Sequence, residues 1–98
     1  MRVISRRKLR EFWELHADAE QPLRGWLSMV KAANWKNLAE VHRTFPTADQ
    51  VGRCTVFNIG GNKYRLIGAI HYNRGIVYVR HVLTHAEYDR DKWKAGCL

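Results

Sequence analysis

The chain has 98 residues, enough for one domain with a single modest core. Its 46% hydrophobic and 27% charged residues match a globular protein and exclude a disordered one. Seventeen Lys and Arg against nine Asp and Glu give a net charge of +8, so polyanions are the natural partners: RNA, DNA, an anionic membrane or an acidic protein.

"RVIS" (Arg2 to Ser5) predicts a short strand. Ser5 then caps a helix whose residues Leu9, Phe12, Trp13 and His16 fall at helical spacing, while Arg6, Arg7, Lys8 and Arg10 take the opposite face. The start is basic and amphipathic, unlike a signal peptide, and no run is long enough to span a membrane. A second helix carries Leu23, Trp26, Leu27 and Val30 on one side, with Pro22 in its first turn. Gly25 inside it costs about 1 kcal/mol relative to alanine. Trp35 lies in the connection, and "NLAEVHRTFP" predicts a helical turn capped by Asn37 and stopped before Pro46.

The texture changes after Val51. "CTVFNIG", "KYRLIGAIHY" and "IVYVRHVL" are rich in β-branched and aromatic residues and predict three strands. "GGN" (Gly60 to Asn62) and "NRG" (Asn73 to Gly75) supply the tight turns between them, which makes an antiparallel meander. Helices first and a meander afterwards is an α+β pattern: two N-terminal helices packed on a small antiparallel sheet, with a short C-terminal helix. No repeat, low-complexity tract or linker interrupts the chain, so residues 1–98 read as one domain. The helices should cover one sheet face and leave the other open to a ligand.

Cys54 and Cys97 lie far apart without CxxC spacing, and no histidine stands at ligand distance from either. The sequence therefore predicts reduced thiols in a cytosolic protein, with neither a disulfide nor zinc. It offers no carboxylate set for another metal and no P-loop, GxSxG, HExxH or dinucleotide fingerprint, so no cofactor is expected.

The stretch "VLTHAEYDRDKW" (Val82 to Trp93) contains T-x-x-E, a capping box in which Thr84 caps a helix and Glu87 reaches back. His85 and Tyr88 then share one helix face beside an N-terminus that attracts anions. Histidine is the side chain that changes charge near neutral pH. Spacing alone favours a plainer role, packing the last helix on the sheet.

In "NKYRLIG", Lys63 and Arg65 share one strand face with Ile67 and Ala69, and Tyr64, Leu66 and Ile70 share the other as core. A two-residue turn after Tyr72 puts Arg80 on the face of Arg65, and a three-residue loop puts it opposite. An unpaired arginine against the helices is costly, which favours the open face. His71 and His81 sit in strands, where histidine is ordinarily structural. Histidine, tyrosine, lysine and arginine suffice to cleave RNA without a metal, because RNA carries its own 2′-OH nucleophile. No free carboxylate is well placed as the base.

"RVISRRKLREFWELHADAEQPLRGW", "VFNIGGNKYRL" and "VRHVLTHAEYDR" together resemble the HigB family of toxins from type II toxin–antitoxin systems, within the RelE/ParE-like superfamily. The resemblance implies a metal-independent mRNA endonuclease that cuts ribosome-bound messages in the cytoplasm. It also implies neutralisation by a HigA antitoxin with a helix-turn-helix domain. "YRL" resembles the RelE-type strand whose arginine contacts the scissile phosphate, which gives Arg65 that role. His85 and Tyr88 occupy the region of the RelE-type basic and tyrosine residues, with Lys63 as a further catalytic candidate. Arg80, Arg6, Arg7, Lys8 and Arg10 are then the RNA-binding set. Two rivals stand beside this expectation: a ParE-like inhibitor of a protein such as gyrase, and a basic RNA-binding module without catalysis.

Overall fold

The computed structural model describes residues 1–98. In chain order it contains β1 (Arg2–Ile4), α1 (Arg6–Leu15), a 3-10 turn (Ala17–Ala19), α2 (Glu20–Ala32) and α3 (Leu38–Thr44). These are followed by β2 (Asp49–Val51), β3 (Cys54–Ile59), β4 (Tyr64–His71), β5 (Ile76–Thr84), α4 (His85–Asp89) and a second 3-10 turn (Lys92–Gly96). Local chemistry sets the helix starts. Ser5 accepts from the Arg7 N–H and Asn37 accepts from the Glu40 N–H, each satisfying a donor that the first helical turn leaves free.

The sheet has five strands in the order β1-β5-β4-β3-β2. The meander β3-β4-β5 is antiparallel as expected, with Gly60 and Gly61 taking positive φ in the first turn. The expected purely antiparallel sheet is corrected at its edges. β1 lies parallel to β5, pairing Val3 with Val77, and β2 adds an antiparallel edge strand beside β3. The whole is an α+β structure on a mixed sheet.

One sheet face meets α1, α2 and α3. Leu9, Phe12, Leu23, Trp26, Val30 and Val41 form a buried cluster with Phe57, Ile59, Leu66, Val77 and Val79. Trp35 joins it, and its indole N–H donates to Thr44 Oγ1 at 3.2 Å. Apolar burial of this kind supplies the main folding drive.

The opposite face is not bare. Cys54, Val56, Ile67, Trp93 and Cys97 make a second buried cluster beneath the C-terminal segment, with Leu83 and Tyr88 packed against it. The expectation of free thiols is overturned here: Cys54 and Cys97 form a disulfide. Sequence distance hid their proximity, because the chain returns after α4 and brings the two Cα atoms to 5.2 Å, within the range a disulfide spans. Gly52, at φ +55°, lets this return pass, since a Cβ there would collide with the Cys97 carbonyl. No helix is long and apolar enough to cross a membrane.

Candidate active site

The open end of the β4–β5 hairpin gathers three of the four catalytic candidates, Arg65, His85 and Tyr88. Thr84 opposes Tyr64 across the strands, and Leu83 opposes Arg65. The capping box forms as expected: the Glu87 N–H donates to Thr84 Oγ1 at 3.2 Å, and Glu87 Oε1 accepts the Thr84 N–H at 2.9 Å. The Thr84 N–H bond first, and then a bond donated by the Thr84 hydroxyl to the same Oε1 at 3.1 Å, hold the Glu87 carboxyl below its ordinary pKa. α4 itself is a five-residue turn, so the expected helix-terminus attraction for anions has little macrodipole behind it.

His85 is half-exposed, and its Nδ1 lies 3.0 Å from Asp89 Oδ2. A carboxylate at one ring nitrogen fixes the imidazole's orientation and leaves the other nitrogen available. Asp89 is legible in the sequence as the residue four beyond His85, a helical neighbour. The His85 and Tyr88 rings are 6.4 Å apart, edge to face.

Arg65 corrects an expectation directly. It keeps the face opposite α1 and α2, but it is only 8% exposed. Its guanidinium donates to the Asn62 carbonyl at 3.1 Å, to Asn62 Oδ1 at 2.6 Å and to the Tyr64 carbonyl at 3.2 Å. It also lies 5.2 Å from the centre of the Tyr88 ring, which stacks in turn on Trp93. Buried and satisfied in this way, Arg65 seats Tyr88 and the preceding turn rather than facing solvent.

Lys63 is likewise corrected. It falls in the turn before β4 and pairs with Asp18, beside Tyr64 and away from Arg65. Tyr64 donates its hydroxyl to the same carboxylate at 2.6 Å. Hydrogen bonds from Lys63 and then Tyr64 lower the Asp18 pKa, and the bond to Asp18 raises that of Lys63. The His16 ring sits 5.6 Å from the Tyr64 ring, stacked on Phe12. Nothing local in the sequence marks this cluster, because Asp18 and Lys63 are 45 residues apart.

The Asp18 and Glu87 carboxyls both titrate lower in the folded protein than their ordinary values of 3.8 and 4.5. Their stabilisation is therefore complete above those values and disappears as pH falls through the lower folded ones. An Asp18→Asn/Glu87→Gln double variant should show a flatter dependence of melting temperature on pH below about 4.5 than the unaltered protein. Equal slopes in the two proteins would refute the assignment.

A β-bulge between Ile67 and Gly68 settles the register of β5. Beside the turn His71 pairs with Ile76; past the bulge Ile67 pairs with His81. Arg80 occupies the bulge, and its guanidinium reaches the Gly96 carbonyl at 3.4 Å, on the face of the C-terminal segment as expected. Arg6, Arg7 and Arg10 are exposed on α1, whereas Lys8 turns to the sheet edge and donates to the Arg80 carbonyl at 3.0 Å. No three His, Cys, Asp or Glu side chains converge where a metal ion could be held.

A family model described as HigB_toxin, the RelE-like toxic component of a toxin–antitoxin system, matches residues 19–91. The chain belongs to the HigB toxin family. The mRNA interferase toxin HigB of Escherichia coli K12 is 26% identical over 92 residues, covering 91% of this chain and 88% of the relative. The mRNA interferase HigB of Shigella flexneri matches to the same extent. As the toxic half of such a system, this HigB-family chain has a cognate antitoxin.

Proposed function

We propose that this HigB-family toxin is an mRNA endoribonuclease whose working surface is the β5–α4 end of the sheet. The supporting observation is the His85–Asp89 pair, an oriented and half-exposed imidazole on a strongly basic protein. In this reading the RNA 2′-OH attacks the adjacent phosphorus, and His85 gives a proton to the departing 5′-oxygen. Products are a 2′,3′-cyclic phosphate and a 5′-OH end. The nucleophile belongs to the substrate, so the scheme calls for no metal.

Tyr88 orients the nucleotide, and Arg65 acts through Tyr88 as a positioning residue. Lys63 holds the turn that Arg65 leans on. Arg6, Arg7, Lys8, Arg10 and Arg80 supply charge along the RNA, so affinity should fall steeply with salt. The two N-terminal helices on the sheet fit a RelE/ParE-like arrangement. In this reading, which rests on membership of the HigB family, the message is bound to the translating ribosome in the cytoplasm, and a HigA-type antitoxin is the cognate partner.

The test is end-mapping of messenger RNA incubated with the protein, with and without translating ribosomes, in the presence of a chelator. Cuts should persist under chelation and drop on the order of 100-fold or more in His85→Ala. Asp89→Asn should lie between the two. Intact RNA in every condition, together with growth arrest in cells, would favour a ParE-like protein inhibitor instead.

A further inference from the structure

Two surface grooves meet on β5. One runs between α1 and the free edge of β5 and is lined by Lys8, Phe12, Leu15, Arg80, His81 and Leu83, with Glu11 and Val82. The other lies between β5 and the C-terminal segment, lined by His81, Leu83, Glu87, Arg90, Lys92 and Trp93. They share His81 and Leu83, so the two grooves adjoin at these residues and together outline a channel past them. β1 pairs only with Ile76, Val77 and Tyr78, which leaves the rest of that β5 edge open to the channel.

The charge in this channel is unbalanced. The four salt bridges of the protein are Arg24–Glu20, Lys63–Asp18, His85–Asp89 and Lys94–Asp91. None involves Lys8, Arg80, Arg90 or Lys92. Of the two channel carboxylates, Glu87 already binds Thr84 through Oε1, and Glu11 lies at the α1 end. Lys8 and Arg80 are held in place by backbone carbonyls, which fixes their positions without neutralising them. Four cations against two carboxylates leave the grooves net positive, which suits a chain of phosphates.

The His81 ring nitrogens take part in no hydrogen bond. Burial chiefly, with Lys8 and Arg80 beside it, lowers the pKa of His81 below the ordinary 6.5. That direction favours the neutral imidazole, the state a proton acceptor needs. α4 folds back over the face on which His81 stands, since Tyr88 packs against Arg65 there.

We propose that this channel is the track of the RNA strand and that His81 is a catalytic residue, the base that takes the proton from the attacking 2′-OH. The inference rests on the nuclease reading above and completes it. As the 2′-O–H proton passes to His81, the 2′-oxygen bonds to phosphorus. The P–O5′ bond then breaks, and O5′ takes a proton from His85. Both histidines exchange protons with solvent to reset. Arg90 and Lys92 hold phosphate oxygens beside His81.

The experiment compares wild type, His81→Gln and Arg90→Ala/Lys92→Ala on ribosome-bound message, with thermal melts to verify folding. His81→Gln should cut on the order of 100-fold or more slowly. In wild type, kcat/KM should fall with decreasing pH through a limb below the ordinary histidine value, and the variant should lack that limb. A single-stranded RNA made uncleavable by 2′-O-methyl groups should bind His81→Gln within about threefold of wild type. The same RNA should bind the Arg90/Lys92 variant on the order of 10-fold more weakly, with a shallower salt dependence. If wild type cuts and folded His81→Gln cuts equally well with the limb intact, the role of His81 is overturned while the nuclease reading survives. If wild type leaves all RNA intact, the nuclease reading fails and the base role fails with it.

Discussion

Replacing Phe57 with alanine is expected to cost about 3–5 kcal/mol of folding stability. Phe57 is 1% exposed, at the centre of β3 and paired with Leu66. Its ring meets Trp26 of α2 at 5.4 Å, Phe45 after α3 at 5.2 Å and Trp35 of the connection at 6.5 Å. Three separate segments are thus tied to the sheet through one side chain. Aromatic pairs add about 0.5–1.5 kcal/mol each beyond area burial. A domain of this size holds only about 5–15 kcal/mol in all, so much of the margin goes. Urea unfolding of the variant beside wild type reads the difference. A loss below about 1 kcal/mol would show that the core is not organised around this ring.

Sequence patterning specifies the local parts of this fold well. Ser5, Asn37 and the Thr84/Glu87 box all cap as their residue types dictate, because a cap needs only neighbours along the chain. The meander strands and both glycine turns follow from period-two alternation and positive φ. What the pattern does not carry is what lies across from a residue. Alternation puts Arg65 on the face away from α1 and α2, yet nothing periodic in "DKWKAGCL" shows that Trp93 and Cys97 return to cover that face. Trp93 and Cys97, two of the four apolar residues in that tail, are the available sign.

The same limit explains the site. Asp89 is visible by helical spacing, but the Lys63–Asp18 pair joins residues far apart in the chain. The exit from β5 turns on a bulge at Arg80 that no local rule announces. His81 is an ordinary strand histidine by pattern. It becomes a candidate base only when Lys8 from α1, and Arg90 and Lys92 from the C-terminal segment, are seen around it.

The second large effect concerns that returning segment. Cys97→Ser is expected to lower stability by about 4 kcal/mol, because the Cys54–Cys97 link closes a loop with a sequence separation of 43 residues. In the chain-entropy account a link of this span removes much of the freedom of the unfolded chain. The native contacts near it change little. The Arg53 N–H still donates to the Cys97 carbonyl at 2.6 Å, and Trp93 remains packed beneath Tyr88. Urea unfolding with and without reductant should therefore drop wild type to the level of Cys97→Ser, while reductant leaves the variant unmoved. Thiol titration of denatured, unreduced wild type should find no free cysteine. Two reactive thiols per chain, with Cys97→Ser as stable as wild type, would mean that Cys54 and Cys97 pack side by side without a covalent tie. The cover over Arg65 would then be held by Trp93 and the backbone bonds alone.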